Sequence, residues 1–183
     1  MEYTSIGLIE YSSIAKGIGS ADAMVKAANV ELVLSRTICS GKYINLVAGD
    51  VEAVKQSVRA GEEYGQESVI DKFVIPNVHP DVFRAISGAT QIVTLDALGV
   101  IESFSVASLI EGADQAAKSA EVKLIEIKLA MALGGKAYVT LTGPVGAVET
   151  AVAAGAAVVS RNGMLVNTVV IPSPRKELLR DIL

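Results

Sequence analysis

Short apolar runs, rich in β-branched residues, alternate along this chain with longer Ala-rich stretches. "IGLIEY" from Ile6 has the length and composition of a strand. "SADAMVKAANV" follows as a helix with Ser20 as its candidate cap. "ELVLSRTI" and "KYINLVAG" then read as two strands of a hairpin, joined through the loop at Cys39. "DVEAVKQSVRAGEEYG" reads as a second helix with Asp50 at its N-cap, and "DKFVIP" as a fourth strand stopped by Pro76.

The same order then recurs. "LGVIES" predicts a strand, "GADQAAKSAEV" a helix capped at Gly112, and "KLIEIKLA" and "KAYVTLTG" a hairpin with a longer connection. "PVGAVETAVAAGAAVV" predicts a helix beginning at Pro144, and "VNTVVIP" a last strand stopped by Pro172. Residues match across the copies: Gly7 with Gly99, Glu10 with Glu102, Asp22 with Asp114, Lys26 with Lys118, all at an offset of 92. The offset becomes 94 from Gly41 and Gly135 onward, and 96 from Phe73 and Val169 onward. The chain is therefore an unpermuted tandem duplication of β-α-β-β-α-β, an α+β sandwich of ferredoxin-like type with helices on one sheet face. The expected division is a first domain over 1–88, a linker over 89–96 and a second domain over 97–183. The first change of offset falls at the only cysteine: "TICSGK" in the first copy becomes "LAMALGGK" in the second. Shared segments are framework, and function is expected where the copies diverge.

Composition adds a constraint. The 183 residues are 51% hydrophobic but only 4% aromatic, with no Trp, and the mean hydropathy is +0.46. No stretch reaches the roughly 18 consecutive apolar residues of a membrane helix, so the excess apolar surface points to subunit interfaces. The net charge of −4, with Lys and Arg scattered, argues against a nucleic-acid partner. An unpaired cysteine and an N-terminus without a basic-then-apolar export pattern point to the reducing cytosol.

Candidate chemistry is sparse. No Ser-His-Asp set, phosphate-binding loop, dinucleotide fingerprint or metal-spaced His cluster is present, so an enzyme is not expected. Glu10 and Glu102 are repeat equivalents at strand ends, so symmetry accounts for them without catalysis. His79 is expected at the surface or an interface. One thiol makes no internal disulfide and holds no metal alone. For Cys39 the residues leave open an inert small hydrophobe and a redox-sensing thiol.

The runs "IGLIEYSSIAKGIGSADAMVKAANVELV", "VAGDVEAVKQSV" and "VIPNVHP", with "LGVIESFSVASLIEGADQAAKSAEVKL" and "GPVGAVETAVAAG" in the second copy, resemble the bacterial microcompartment shell domain. Two copies resemble the tandem subclass of that family. That resemblance implies a homotrimeric, pseudohexameric tile with a central pore, assembling with other microcompartment shell proteins in the cytoplasm and enclosing enzymes, among them redox enzymes. In the subclass that "TICSGK" most resembles, three loop cysteines at the pore bind one 4Fe–4S cluster. Cys39 is then the metal- and cofactor-binding residue. A threefold axis brings three equivalent thiolates together, leaving the fourth iron on the axis. Electron transfer across the shell is the function this implies, and a pore for small metabolites without a cluster is the alternative. The resemblance places Ile38, Ser40, Gly41, Lys42, Met131, Ala132, Leu133, Gly134 and Gly135 around the pore, with Lys136 a further candidate. It places Lys26 and Lys118 at the tile edge. The family's arginine in Ile-Pro-Arg-Pro-His is replaced by Asn77 and Ser173, which makes edge-to-edge assembly here a departure from the family pattern.

Overall fold

A computed structural model describes residues 4–91, 95–175 and 177–178. The chain forms two compact units. The first is Met1–Val78 with Met131–Gly135, and the second is His79–Ala130 with Lys136–Leu183.

The first unit contains β1 (Ser5–Tyr11), α1 (Ile14–Ala27), β2 (Glu31–Ile38), β3 (Lys42–Gly49), α2 (Val51–Gly65) and β4 (Val69–Pro76). Its sheet has the order β2-β3-β1-β4 with every neighbour antiparallel. α1 and α2 pack on each other and on the sheet. Ile9, Tyr11, Met24, Tyr43, Val47, Val54 and Val58 form the core between these layers. Asn45 and Ser57 are buried there with partners: the Asn45 side-chain amide donates to the Gly17 carbonyl at 2.8 Å, and Ser57 Oγ donates to the Met24 carbonyl at 3.0 Å. Tyr11 Oη meets Ser20 Oγ and the Gly61 carbonyl. Burial pushes its phenol above the ordinary range, and the bonds to Ser20 and Asn45 work against that.

The second unit contains α3 (Pro80–Ser87), β5 (Ala97–Ser103), α4 (Val106–Ser119), β6 (Lys123–Lys128), β7 (Ala137–Gly143), α5 (Val145–Arg161) and β8 (Leu165–Pro172). The order β6-β7-β5-β8 repeats the first sheet. Strand pairing repeats to the residue: Leu8 faces Leu46 in the first sheet, and Val100 faces Thr140 at the same place in the second. Both β2 and β6 carry a bulge, after Leu32 and Leu124 respectively.

Three expectations need correction. α1 and α4 begin at caps Ser13 and Ser105, not at Ser20 and Gly112. Ser13 Oγ accepts from the Lys16 N–H at 3.3 Å, and Ser105 Oγ from the Ser108 N–H at 3.1 Å. Gly17 gives the first turns a loop-like sequence, yet it is helical for a packing reason. A Cβ at Gly17 would lie 2.5 Å from the Tyr43 ring, so glycine is what lets the helix close on the sheet. Pro144 is the N-cap of α5 and not its first helical residue. Finally, the first unit ends at Val78, whereas the sequence puts the boundary after residue 88. The reason is α3, which packs on β6 and α4. The His79 N–H donates to Asp114 Oδ1 at 2.8 Å, tying the start of this helix to the second unit. Part of the expected linker, residues 92–94, lies outside the described residues.

Candidate functional site

Cys39 occupies the turn of the β2–β3 hairpin, which the pairing of Ile38 with Lys42 closes. Ser40 and Gly41 turn the chain with left-handed φ of 68° and 72°. Ser and Gly tolerate that region better than β-branched residues do. The Cys39 side chain is half-buried and its thiol is free of any disulfide.

The longer connection of the second copy, Met131–Gly135, belongs to this same unit. Its backbone passes in and out of the left-handed region, with φ of 48° at Ala130, 58° at Ala132, 62° at Gly134 and 85° at Gly135. Alternation of this kind turns successive N–H groups toward one point and makes an anion-binding concavity. Here the point is sulfur. The Ala132 N–H donates to Cys39 Sγ at 2.8 Å. Hydrogen bonding holds the thiol below its ordinary pKa. The Leu133 N–H is the largest influence, partial desolvation opposes it, and the N–H groups of Ala132, Gly135 and Gly134 add to it. Gly135 is required by contact as well as by φ: a Cβ there would lie 2.8 Å from Ser40 Oγ.

The residues expected around a pore divide by environment. Ser40, Gly41, Met131, Ala132 and Gly134 are exposed, and Leu133 is half-buried. Ile38 is 4% exposed and is core, and Gly135 is buried against Ser40. Lys42 folds back on its own unit, its ammonium 2.7 Å from Glu10 Oε1. Lys136 makes the equivalent pair with Glu102 at 2.6 Å. The two carboxylates singled out as repeat equivalents thus anchor the lysines that follow each hairpin. Lys26 and Lys118, expected at a tile edge, pair within their helices with Asp22 and Asp114, each at 2.6 Å. His79 caps α3, its ring Nδ1 accepting from the Asp81 N–H at 3.3 Å. Asn77 and Ser173 both take left-handed backbone, with φ of 54° and 47°.

Sequence reading missed the role of Met131–Gly135. It offered no ligand better than a thioether, and its contribution is made by backbone N–H groups that any residue type carries. The paired glycines Gly134 and Gly135 were the available signal.

Among the described residues no group of three or more His, Cys, Asp or Glu could hold a metal within one chain. No helix among them is long and apolar enough to cross a membrane. A single thiolate cradled by N–H donors fits one ligand of an iron–sulfur cluster, since such clusters take thiolates and are tuned by hydrogen bonds to sulfur.

Comparison with known proteins gives these residues a context. The BMC domain model matches twice, at residues 5–78 and 97–174. The chain is 39% identical over 178 residues to the bacterial microcompartment shell protein PduT of Citrobacter freundii, covering 97% of each. It is also 40% identical over 84 residues to the shell protein PduA of the same organism, 45% of this chain but 90% of that one, as duplication of a single-domain unit requires. A crystal structure of a microcompartment protein from Desulfitobacterium hafniense DCB is 56% identical, with a TM-score of 0.88 over 96% of this chain and 98% of that one. These relatives are structural proteins and not enzymes, and with two BMC domains in tandem the chain belongs to the BMC-domain family of bacterial microcompartment shell proteins.

Proposed function

We propose that this shell protein works as a homotrimeric tile in which Cys39 of three chains meets around the threefold axis and ligates one 4Fe–4S cluster. The observation that carries the reading is the cradle of N–H groups from Ala132 to Gly135 around the Cys39 sulfur, which favours the thiolate. A buried structural thiol needs no such cradle. Closed symmetry is what turns one sulfur per chain into three. When bound, the cluster supplies one-electron redox chemistry, and in a shell this serves electron transfer between the enclosed enzymes and the outside. The chain's own contribution is to fix the sulfur and to favour its thiolate form. The turn at Ser40 and Gly41 is short and small, which allows close approach to symmetry-related copies. Other shell proteins are the neighbours of such a tile, and encapsulated redox enzymes are its electron partners.

Anaerobic purification tests this. The expected product is brown, contains iron and acid-labile sulfide, and has a broad visible absorption band that Cys39→Ala abolishes. A colourless protein that takes up no iron on reconstitution overturns the cluster and leaves a metabolite pore.

A further inference from the structure

The hairpin turns of the two repeats differ in what they present as well as in length. The turn at Cys39 presents a side chain. Met131–Gly135 consists of Met, Ala, Leu and two Gly, so it has no charged side chain to present. It presents backbone: the Ala132 N–H lies 2.8 Å from Cys39 Sγ, and left-handed residues at Ala132, Gly134 and Gly135 shape the loop around it. The lysine that follows each hairpin is already compensated, Lys42 by Glu10 and Lys136 by Glu102. The partial positive charge in contact with the sulfur is thus that of a peptide N–H. The loop is also held in place. Gly135 packs so closely on the Cys39 turn that a Cβ there would lie 2.8 Å from Ser40 Oγ.

A thiolate bonded to its own Cβ and to one iron keeps two lone pairs, so ligation leaves the sulfur able to accept an N–H. Reduction adds negative charge that spreads onto the ligand sulfurs. A fixed N–H dipole aimed at such a sulfur stabilises the reduced state more than the oxidised one, and so raises the potential. A preorganised donor does this without rearranging at the moment of transfer.

We propose that the backbone N–H of Ala132, with its neighbours in Met131–Gly135, raises the reduction potential of the cluster that Cys39 ligates. The second repeat's hairpin is then the tuning element of a site whose ligand belongs to the first, acting through the sulfur and never on iron. The proposal rests on the cluster reading above and adds to it the residues that set its potential. The same N–H donors that favour the thiolate in the metal-free chain favour the reduced state in the loaded one. The step concerned is uptake of one electron from an external one-electron donor, dithionite in the test. The donors pass no proton with it, because they are amides, so their contribution does not depend on pH.

The test removes the donor and keeps the side chain. In the full-length protein Ala132 is exchanged for lactic acid by nonsense suppression, which turns its N–H into an ester oxygen. Leu133 is exchanged for leucic acid in a second variant. Iron, sulfide and oligomeric state are measured after anaerobic purification, and each protein is titrated potentiometrically with dithionite at two pH values. At unchanged iron content and trimer mass, the ester at 132 is expected to lower the equilibrium constant for reduction by about tenfold, about 59 mV for one electron, and by the same amount at both pH values. A loaded trimer whose potential matches or exceeds wild type in both variants overturns the tuning and leaves the cluster standing. Wild-type protein that takes up no iron overturns both. A further measurement needs no variant: exchange of wild type into D2O is expected to shift the iron–thiolate stretching bands in resonance Raman. Bands that do not shift also overturn the tuning.

Discussion

The backbone N–H of Ala132 meets the sulfur of Cys39 across 2.8 Å, though the two residues are 93 positions apart. The donor comes from the hairpin of the second copy and the acceptor from the hairpin of the first. The two loops that duplication made equivalent have thus become complementary, one carrying a thiol and the other a cradle for its anion.

The cradle has a kinetic consequence. Because hydrogen bonding holds the Cys39 thiol below its ordinary value, the thiolate fraction rises at lower pH than for an unperturbed cysteine. Alkylation of the metal-free protein by iodoacetamide is expected to reach its plateau at correspondingly lower pH. Leu133→Pro removes the leading donor, and the rate profile is then expected to move to higher pH. A profile that coincides with wild type contradicts the role given to the loop backbone.

Neighbouring glycines in that loop are expected to differ in their sensitivity. Gly134 and Gly135 both have left-handed φ, but a Cβ on Gly134 meets open space whereas one on Gly135 lies 2.8 Å from Ser40 Oγ. Gly134→Ala is expected to lose about 1 kcal/mol for backbone conformation alone. Gly135→Ala is expected to lose about 2 kcal/mol or more, and to recover part of that in a Ser40→Gly background. Urea unfolding at matched protein concentration measures all three variants. Equal losses for the two glycines would show that the contact with Ser40 is not constraining.

The lysine–glutamate pairs give a comparison between copies. Glu10 is 1% exposed and its partner Lys42 20%, whereas Glu102 is 27% and Lys136 41% exposed. Removing one partner of a buried pair leaves a carboxylate poorly compensated, whereas a surface pair contributes little. Lys42→Ala is expected to destabilise by on the order of 2 kcal/mol, Glu10 keeping its other contacts. Lys136→Ala is expected to lose less than about 1 kcal/mol. Thermal unfolding of the two variants checks the order, and a larger loss at Lys136 reverses it.

Much of the fold was legible because the chain states it twice. The strands ending at Pro76 and Pro172, the cap at Asp50 and the hairpin around Cys39 all follow from local pattern and from agreement between copies. What was not legible had local signals overruled by packing. Gly17 reads as a loop residue until the Tyr43 ring is seen against it. α3 reads as a tail of the first copy until His79 is seen bonded to Asp114. At the site, the thiol was visible as a lone divergent residue. Its partners were not, because backbone N–H groups leave no mark in side-chain identity.

Native mass spectrometry of anaerobically purified protein tests the central claim most directly. The account predicts an assembly of three 19.0 kDa chains carrying the added mass of one Fe4S4 unit, and a trimer without that mass for Cys39→Ala. A monomer, a dimer, or a wild-type trimer with no iron–sulfur mass after anaerobic reconstitution contradicts it.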